Sequence, residues 1–123
     1  MSTNVEIATK FLDAVRVADL ETYRSVLAED AEMWHNFDNH AQSVDENEKL
    51  MLFMRSKAQV EYEVLRLEEI EGGFLQQHIL RLTPPGGETV ESHACVVGQI
   101  VNGKIQRMDE YLDPTPLTKV LTG

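Results

Sequence analysis

A second cysteine is missing. Cys95 stands alone in 123 residues, so no intrachain disulfide can form and a reducing, cytoplasmic setting is expected. Basic residues are scarce, 11 against 21 acidic ones, for a formal net charge of −10. They are scattered rather than clustered, which removes the phosphate-neutralising surface that a nucleic acid partner requires. The N-terminus, Met1-Ser2-Thr3-Asn4-Val5-Glu6, has neither the basic region nor the apolar stretch of a signal peptide. No apolar run approaches the roughly 20 residues that cross a bilayer, so no membrane partner is expected. His35, His40, His78 and His93 lack ligand-like spacing and Cys95 has no companion thiol, so neither a metal nor any other cofactor is expected. Gly72-Gly73 and Gly86-Gly87 read as hairpin turns with no helix after them, unlike phosphate-cradling loops. A Gly-x-Ser-x-Gly nucleophile elbow is absent too.

What remains has an ordinary globular composition, 42% hydrophobic and 26% charged, long enough for one domain with its own core. Residues Ile7, Ala8, Phe11, Leu12 and Val15 recur at helical spacing, and Thr3 with Glu6 forms a capping box ahead of them. Asp19 caps a second short helix with Leu20, Tyr23, Val26 and Leu27 on its apolar stripe. The stretch from Ala31 to Asp38 loses that period and reads as a strand entering a loop. Ser43 and Glu46 form another capping box, opening a helix through Leu50, Met51 and Met54 to about Lys57.

From Val60 onward the pattern is β. Val60, Tyr62 and Val64 alternate with Glu61 and Glu63, and then Leu65 and Leu67 take the opposite parity, which predicts a bulge. Strands follow over 74–83 and 88–101, with Gly98 as a bend point in the second. Asn102-Gly103 is a type I′ hairpin signal that starts a last strand carrying Glu110, and Pro114 and Pro116 end the sheet. Helices gathered at one end of the chain must cover one face of one antiparallel sheet. Long twisted strands curl around such a layer. The expected fold is α+β, a cone-shaped curved antiparallel sheet wrapped around N-terminal helices with an internal cavity.

The paired helices, LAEDAEMWHNFD at 27–38 and VVGQIVNGKIQRMDEYLD at 96–113 resemble the nuclear transport factor 2-like superfamily, over nearly the whole chain. Gly103, Ile105, Glu110, Tyr111 and Asp113 are similar to the endings of its SnoaL-like members, which makes 1–123 a single SnoaL-like domain. The superfamily includes ketosteroid isomerases, limonene-epoxide hydrolases and polyketide cyclases. Against the epoxide hydrolases, Glu110 falls on the water-activating last-strand carboxylate, Trp34 on a Tyr and Asn36 on an Asn. Gln76 and His78 stand where that branch has the Arg–Asp pair that positions and protonates the epoxide. The resemblance thus carries the water-activating half in part and not the protonating half. The Asp base and Tyr–Asp pair of the isomerases have no clean counterparts: Tyr23 lies in the second helical segment, and Asp38 matches the base only loosely.

On residue chemistry alone, Glu110 shares a strand face with Gln106, Met108 and Leu112. Should Met108 and Leu112 line a pocket, Glu110 is desolvated and its pKa rises; otherwise it is a solvated, ion-paired glutamate. His78 shares an apolar parity with Phe74, Gln76, Leu80 and Leu82, and is either a proton-transfer partner of Glu110 or a satisfied core histidine. The opposite parity would bring in Arg81. Trp34 and Asn36, two apart, either wall a pocket and orient substrate or water or are simple core packing; in the pocket reading His35 faces away unless the strand bulges. Met54 is core or pocket roof.

Three functions are compatible with this. One is a cofactor-independent enzyme of isomerase, cyclase or hydrolase type acting on an apolar oxygenated small molecule. In it Glu110 and His78 are catalytic, and Trp34, Asn36, Gln76, Met108, Tyr23 and Met54 bind substrate. Another is a non-catalytic protein that holds a hydrophobic ligand. The third is a dimeric interaction module. A homodimer is expected in each, because such sheets pair back to back.

Overall fold

The computed structural model describes residues 3–122; Met1, Ser2 and Gly123 lie outside the described residues. Two helices open the chain, α1 (Asn4–Val17) and α2 (Leu20–Ser25). The first is started by the expected box, with Thr3 Oγ1 accepting from Glu6 N at 3.1 Å and Glu6 accepting back from Thr3 N at 3.2 Å. It ends at Ala18, whose φ of 55° turns the chain sharply toward Asp19, the cap of α2. Leu27, read as the last residue of the second helix's stripe, instead begins β1 (Leu27–His35), four residues ahead of the expected strand start. A short strand that the sequence reading missed, β2 (His40–Gln42), folds back on β1.

Ser43 and Glu46 then cap α3 (Val44–Lys57), as expected. Four long strands follow: β3 (Gln59–Ile70), β4 (Gly73–Thr83), β5 (Val90–Val101) and β6 (Lys104–Leu112). The predicted phase switch in β3 is a bulge: register slips between Val64 and Arg66, leaving Leu65 as the extra residue. Gly98 has a different reason from the bend expected of it. It pairs with Phe74, whose ring occupies the space a Cβ would need, and the irregularity in β5 falls one step later, between Gln99 and Ile100. Asn102 and Gly103 hold φ values of 52° and 76°, the left-handed pair that a type I′ turn needs. Pro114 and Pro116 end the sheet and also open a further helix, α4 (Thr115–Leu121), because proline fits a helix's first turn.

The six strands form one curved, unclosed sheet in the order β2-β1-β6-β5-β4-β3. It departs from a purely antiparallel sheet at one place: β1 and β6 run parallel. The chain leaves β1 through β2 and α3 and crosses to the far edge before returning to β6, so these neighbours need not share a hairpin. The α1–α2 pair, α3 and α4 pack on the concave face. Their apolar side chains, among them Ile7, Val15 and Met51, meet Met33, Phe74, Val96 and Met108 from the sheet. Among the described residues, no helix is long and apolar enough to cross a membrane.

Candidate active site

The concave face is not filled. Between sheet and helices lies a cavity of about 310 Å³, at the lower end of small-molecule sites. Its walls are mostly apolar, with Phe11, Leu50, Met54 and Leu117 from the helices and Phe74 and Met108 from the strands. Polar groups converge on one row of the sheet. Gln76, Val96, Glu110 and His35 are successive cross-strand partners from β4 through β1, so all four project from the same face. His78 stands two residues along β4, on that same face.

Glu110 sits between two imidazoles. Its Oε1 is 3.1 Å from His35 Nε2, and its Oε2 is 3.4 Å from His78 Nε2. Both histidines are buried, whereas the Glu110 side chain keeps 22% of its surface, opening on the cavity it lines. Burial is the largest single influence on this carboxyl and pushes its pKa up. Hydrogen bonds and charge from His35 and His78 together outweigh it and bring the group down to about 2. This corrects the expected rise: burial between Met108 and Leu112 is real, but the two imidazoles beside the carboxyl stabilise the anion. Glu110 is a carboxylate here, not a carboxylic acid poised to donate.

The rings are not equivalent. Gln76 Nε2 lies 2.9 Å from His78 Nδ1, and an amide nitrogen only donates, so the His78 proton is on Nε2, toward Glu110. That Nε2–H nevertheless lacks a hydrogen bond of good geometry, the 3.4 Å approach to Glu110 being long. His35 presents Nε2–H to Glu110, which leaves its buried Nδ1 with no partner among the described residues. Tyr62 closes the wall beside His78, ring edge to ring face at 5.5 Å between centroids. Burial and the Glu110 charge push its phenol well above the usual range, so it stays protonated.

Several expected site residues are where they were placed. Glu110, His78, Gln76, Met108 and Met54 all line the cavity. Three are not in the expected roles. Trp34 borders the cavity, but its indole packs against Tyr111 and its N–H is engaged by Asn39 Oδ1 at 2.9 Å. Asn36 is exposed, its Oδ1 accepting from Leu112 N at 3.0 Å to tie the end of β1 to β6. Tyr23 lies fully buried outside the lining, donating to Asn47 Oδ1 at 2.6 Å. The physical reason for the first two is strand parity: Ala31, Met33 and His35 are the buried set of β1. His35 therefore faces the cavity, not away from it. Its signal was in the sequence, since Asp30-Ala31-Glu32-Met33 alternates polar and apolar residues and puts position 35 on the apolar side. Arg81 stays outside, paired with Glu63 and Glu91.

Among the described residues, no three His, Cys, Asp or Glu side chains are grouped to hold a metal ion. The two imidazoles address different oxygens of Glu110. The arrangement suits proton transfer. An ionised carboxylate meets whatever enters the apolar cavity, and ring nitrogens on both sides stabilise its charge.

No protein-family model matches the chain, and no curated protein does. Solved structures do. An NTF2-like protein of unknown function from Burkholderia pseudomallei superposes with a TM-score of 0.83 over 100% of both chains, at 16% identity. An LEH-like epoxide hydrolase from M. tuberculosis gives 0.76 at 20% identity, covering 97% of this chain and 89% of that one. A candidate SnoaL-like polyketide cyclase from Shewanella putrefaciens gives 0.79 at 11% identity, covering 99% and 87%. At these identities the similarity is one of fold. The chain has the fold of the nuclear transport factor 2-like superfamily, the one its sequence resembles.

Proposed function

We propose that this protein is a small, cofactor-independent enzyme that performs acid/base chemistry on an apolar, oxygenated small molecule, of isomerase, cyclase or hydrolase type. The observation that carries it is the ionised Glu110, lining an apolar cavity and flanked by His35 and His78. Glu110 is the proton acceptor, His78 its partner in the site, and His35 a positioning residue that holds the anion. Gln76, Met108 and Met54 shape the cavity around the ligand. A carboxyl held near 2 is a weak base that is fully ionised at neutral pH. It removes a proton only from an acidic position, such as one next to a carbonyl or on an enol or phenol. Confinement at contact distance offsets part of that weakness.

Neighbours of the same fold described as an epoxide hydrolase and a candidate polyketide cyclase support the enzyme reading. The non-catalytic reading, a protein that holds a hydrophobic ligand, is favoured by Gln76 and His78 occupying the place of a protonating Arg–Asp pair. A substrate-independent test separates them. Cyclic ketones incubated with the protein in D₂O lose their α-protons at a rate that ¹H NMR reads directly. The enzyme reading expects acceleration that falls a hundredfold or more in Glu110→Gln, with ketone affinity nearly kept. Equal rates with both proteins leave the binding reading.

A further inference from the structure

The cavity's polar groups have unequal demands, and these select a ligand chemistry. Among the described residues, no Lys or Arg lines it, and its acidic lining residues are Glu110 and the exposed Asp38. A carboxylate or phosphate entering it would meet the Glu110 charge, with both imidazoles already turned to that carboxylate and no Lys or Arg to offset a second anion. Two further polar lining groups are already engaged. Asn47 accepts from Tyr23 and donates to Gln42 Oε1 at 3.0 Å, and the Thr118 hydroxyl donates to Pro114 O.

Among the described residues, the buried side-chain nitrogens left without a partner are on the two rings beside the carboxylate. His78 Nε2–H is a buried donor without a well-formed bond. Glu110 Oε2, 3.4 Å away, is an acceptor with lone pairs to spare. One atom lying in the cavity beside both, at ordinary hydrogen-bond distance, would have to accept from the ring and donate to the carboxylate. An ether or ketone oxygen only accepts, and an ammonium only donates. A hydroxyl does both.

Resting on the reading of this cavity as the working site, we infer that it recognises a neutral hydroxyl of the phenol or enol class. The hydroxyl oxygen is seated against His78 Nε2–H and its proton directed at Glu110 Oε2. Gln76 sets the selectivity indirectly, because its amide keeps the His78 proton on the nitrogen that faces the ligand.

The test compares four naphthalenes on the unmodified protein by isothermal titration calorimetry: 2-naphthol, 2-methoxynaphthalene, 2-naphthoate and 1-naphthylmethylammonium. The naphthol is expected to bind at least about tenfold more tightly than each of the others, the scale of one hydrogen bond to a charged acceptor. In Glu110→Met the naphthol and its methyl ether should come within about threefold of each other. Should that variant fail to fold, the ligand series on the native chain decides alone. Equal affinity for the methyl ether, tighter binding of the naphthoate or the ammonium, or no binding of the naphthol overturns the inference. A naphthol preference alongside unchanged ketone exchange in Glu110→Gln would keep the hydroxyl site and remove the acid/base role. Collapsed exchange with no naphthol preference would do the reverse.

Discussion

His35 and Glu110 are direct partners across the parallel β1–β6 ladder, and their side chains meet 3.1 Å apart on its concave side. A parallel pairing keeps both residues at the same level of the sheet, so the contact is built into the backbone register. Burial still pushes Glu110 toward its neutral form; the imidazoles reverse that push. His35→Leu removes one of them and leaves the burial. The Glu110 carboxyl, followed by ¹³C NMR, should then titrate well above its native value near 2. The variant should lose roughly 1–3 kcal/mol of stability in urea, the scale of leaving a buried group short of a partner. A titration midpoint unchanged in the variant would mean that His78 alone holds the anion.

The same shift makes a statement about acid stability. The Glu110 pKa is lower in the folded chain than its ordinary 4.5. Its contribution to stability is therefore complete above about 4.5 and is lost as pH falls from there toward 2. Thermal melts of the native protein should show a falling midpoint through this window, and Glu110→Gln should show a shallower fall. Exposed carboxylates at helix starts, such as Glu6 and Glu46, remain in both proteins and cancel in the comparison. Parallel acid limbs for the two proteins would contradict the buried ion cluster.

The parts of this fold that were legible in the sequence are those decided within a few residues. Thr3 with Glu6, Ser43 with Glu46, and Asn102-Gly103 each solve a local hydrogen-bonding or steric problem, and each is found where its residues predict. The bulge at Leu65 was legible because a change of parity is itself local. The parallel β1–β6 pairing was not, since it joins positions some 75 residues apart in sequence, as at His35 and Glu110. Half of the site followed from parity within one strand, as with Gln76 and His78. The other half turned on the parity of β1: the resemblance put Trp34 and Asn36 inward, whereas apolar Ala31 and Met33 carry His35 inward with them. Helix α4 was passed over because its two prolines read as a stop. Proline also starts helices, and Leu117, Val120 and Leu121 at helical spacing were the available signal.

Gly98 ties the sheet to the cavity. Phe74, its partner on β4, lies across it with the ring where a Cβ would be, and Phe74 itself lines the cavity. Gly98→Ala forces that ring inward or the strands apart. Overpacking of this kind costs about 1–3 kcal/mol, to be read from chemical denaturation. Because the displaced ring has only the cavity to move into, 2-naphthol affinity should drop in the same variant. Stability lost with affinity intact would mean that the strands part instead.

The back of the sheet supports the expected homodimer as a further proposal. On that face Val97 and Tyr111 are 38% and 48% exposed, on the adjacent strands β5 and β6, with Trp34 packed against Tyr111. The surrounding positions are charged and paired: Arg107 bonds Asp109 at 2.8 Å, and its other arm reaches Glu32 at 3.3 Å. An apolar centre inside a polar rim, with an arginine among the carboxylates, can meet a second copy of itself across a two-fold axis. Sedimentation velocity at micromolar concentration should give a dimer for the native chain. Val97→Lys should give a monomer, because a two-fold contact sets both lysines into one apolar interface. That substitution touches nothing in the cavity, so the monomer should bind 2-naphthol as the native protein does. A native chain that sediments as a monomer removes the homodimer and leaves the site as described, since every group that meets Glu110 comes from its own chain.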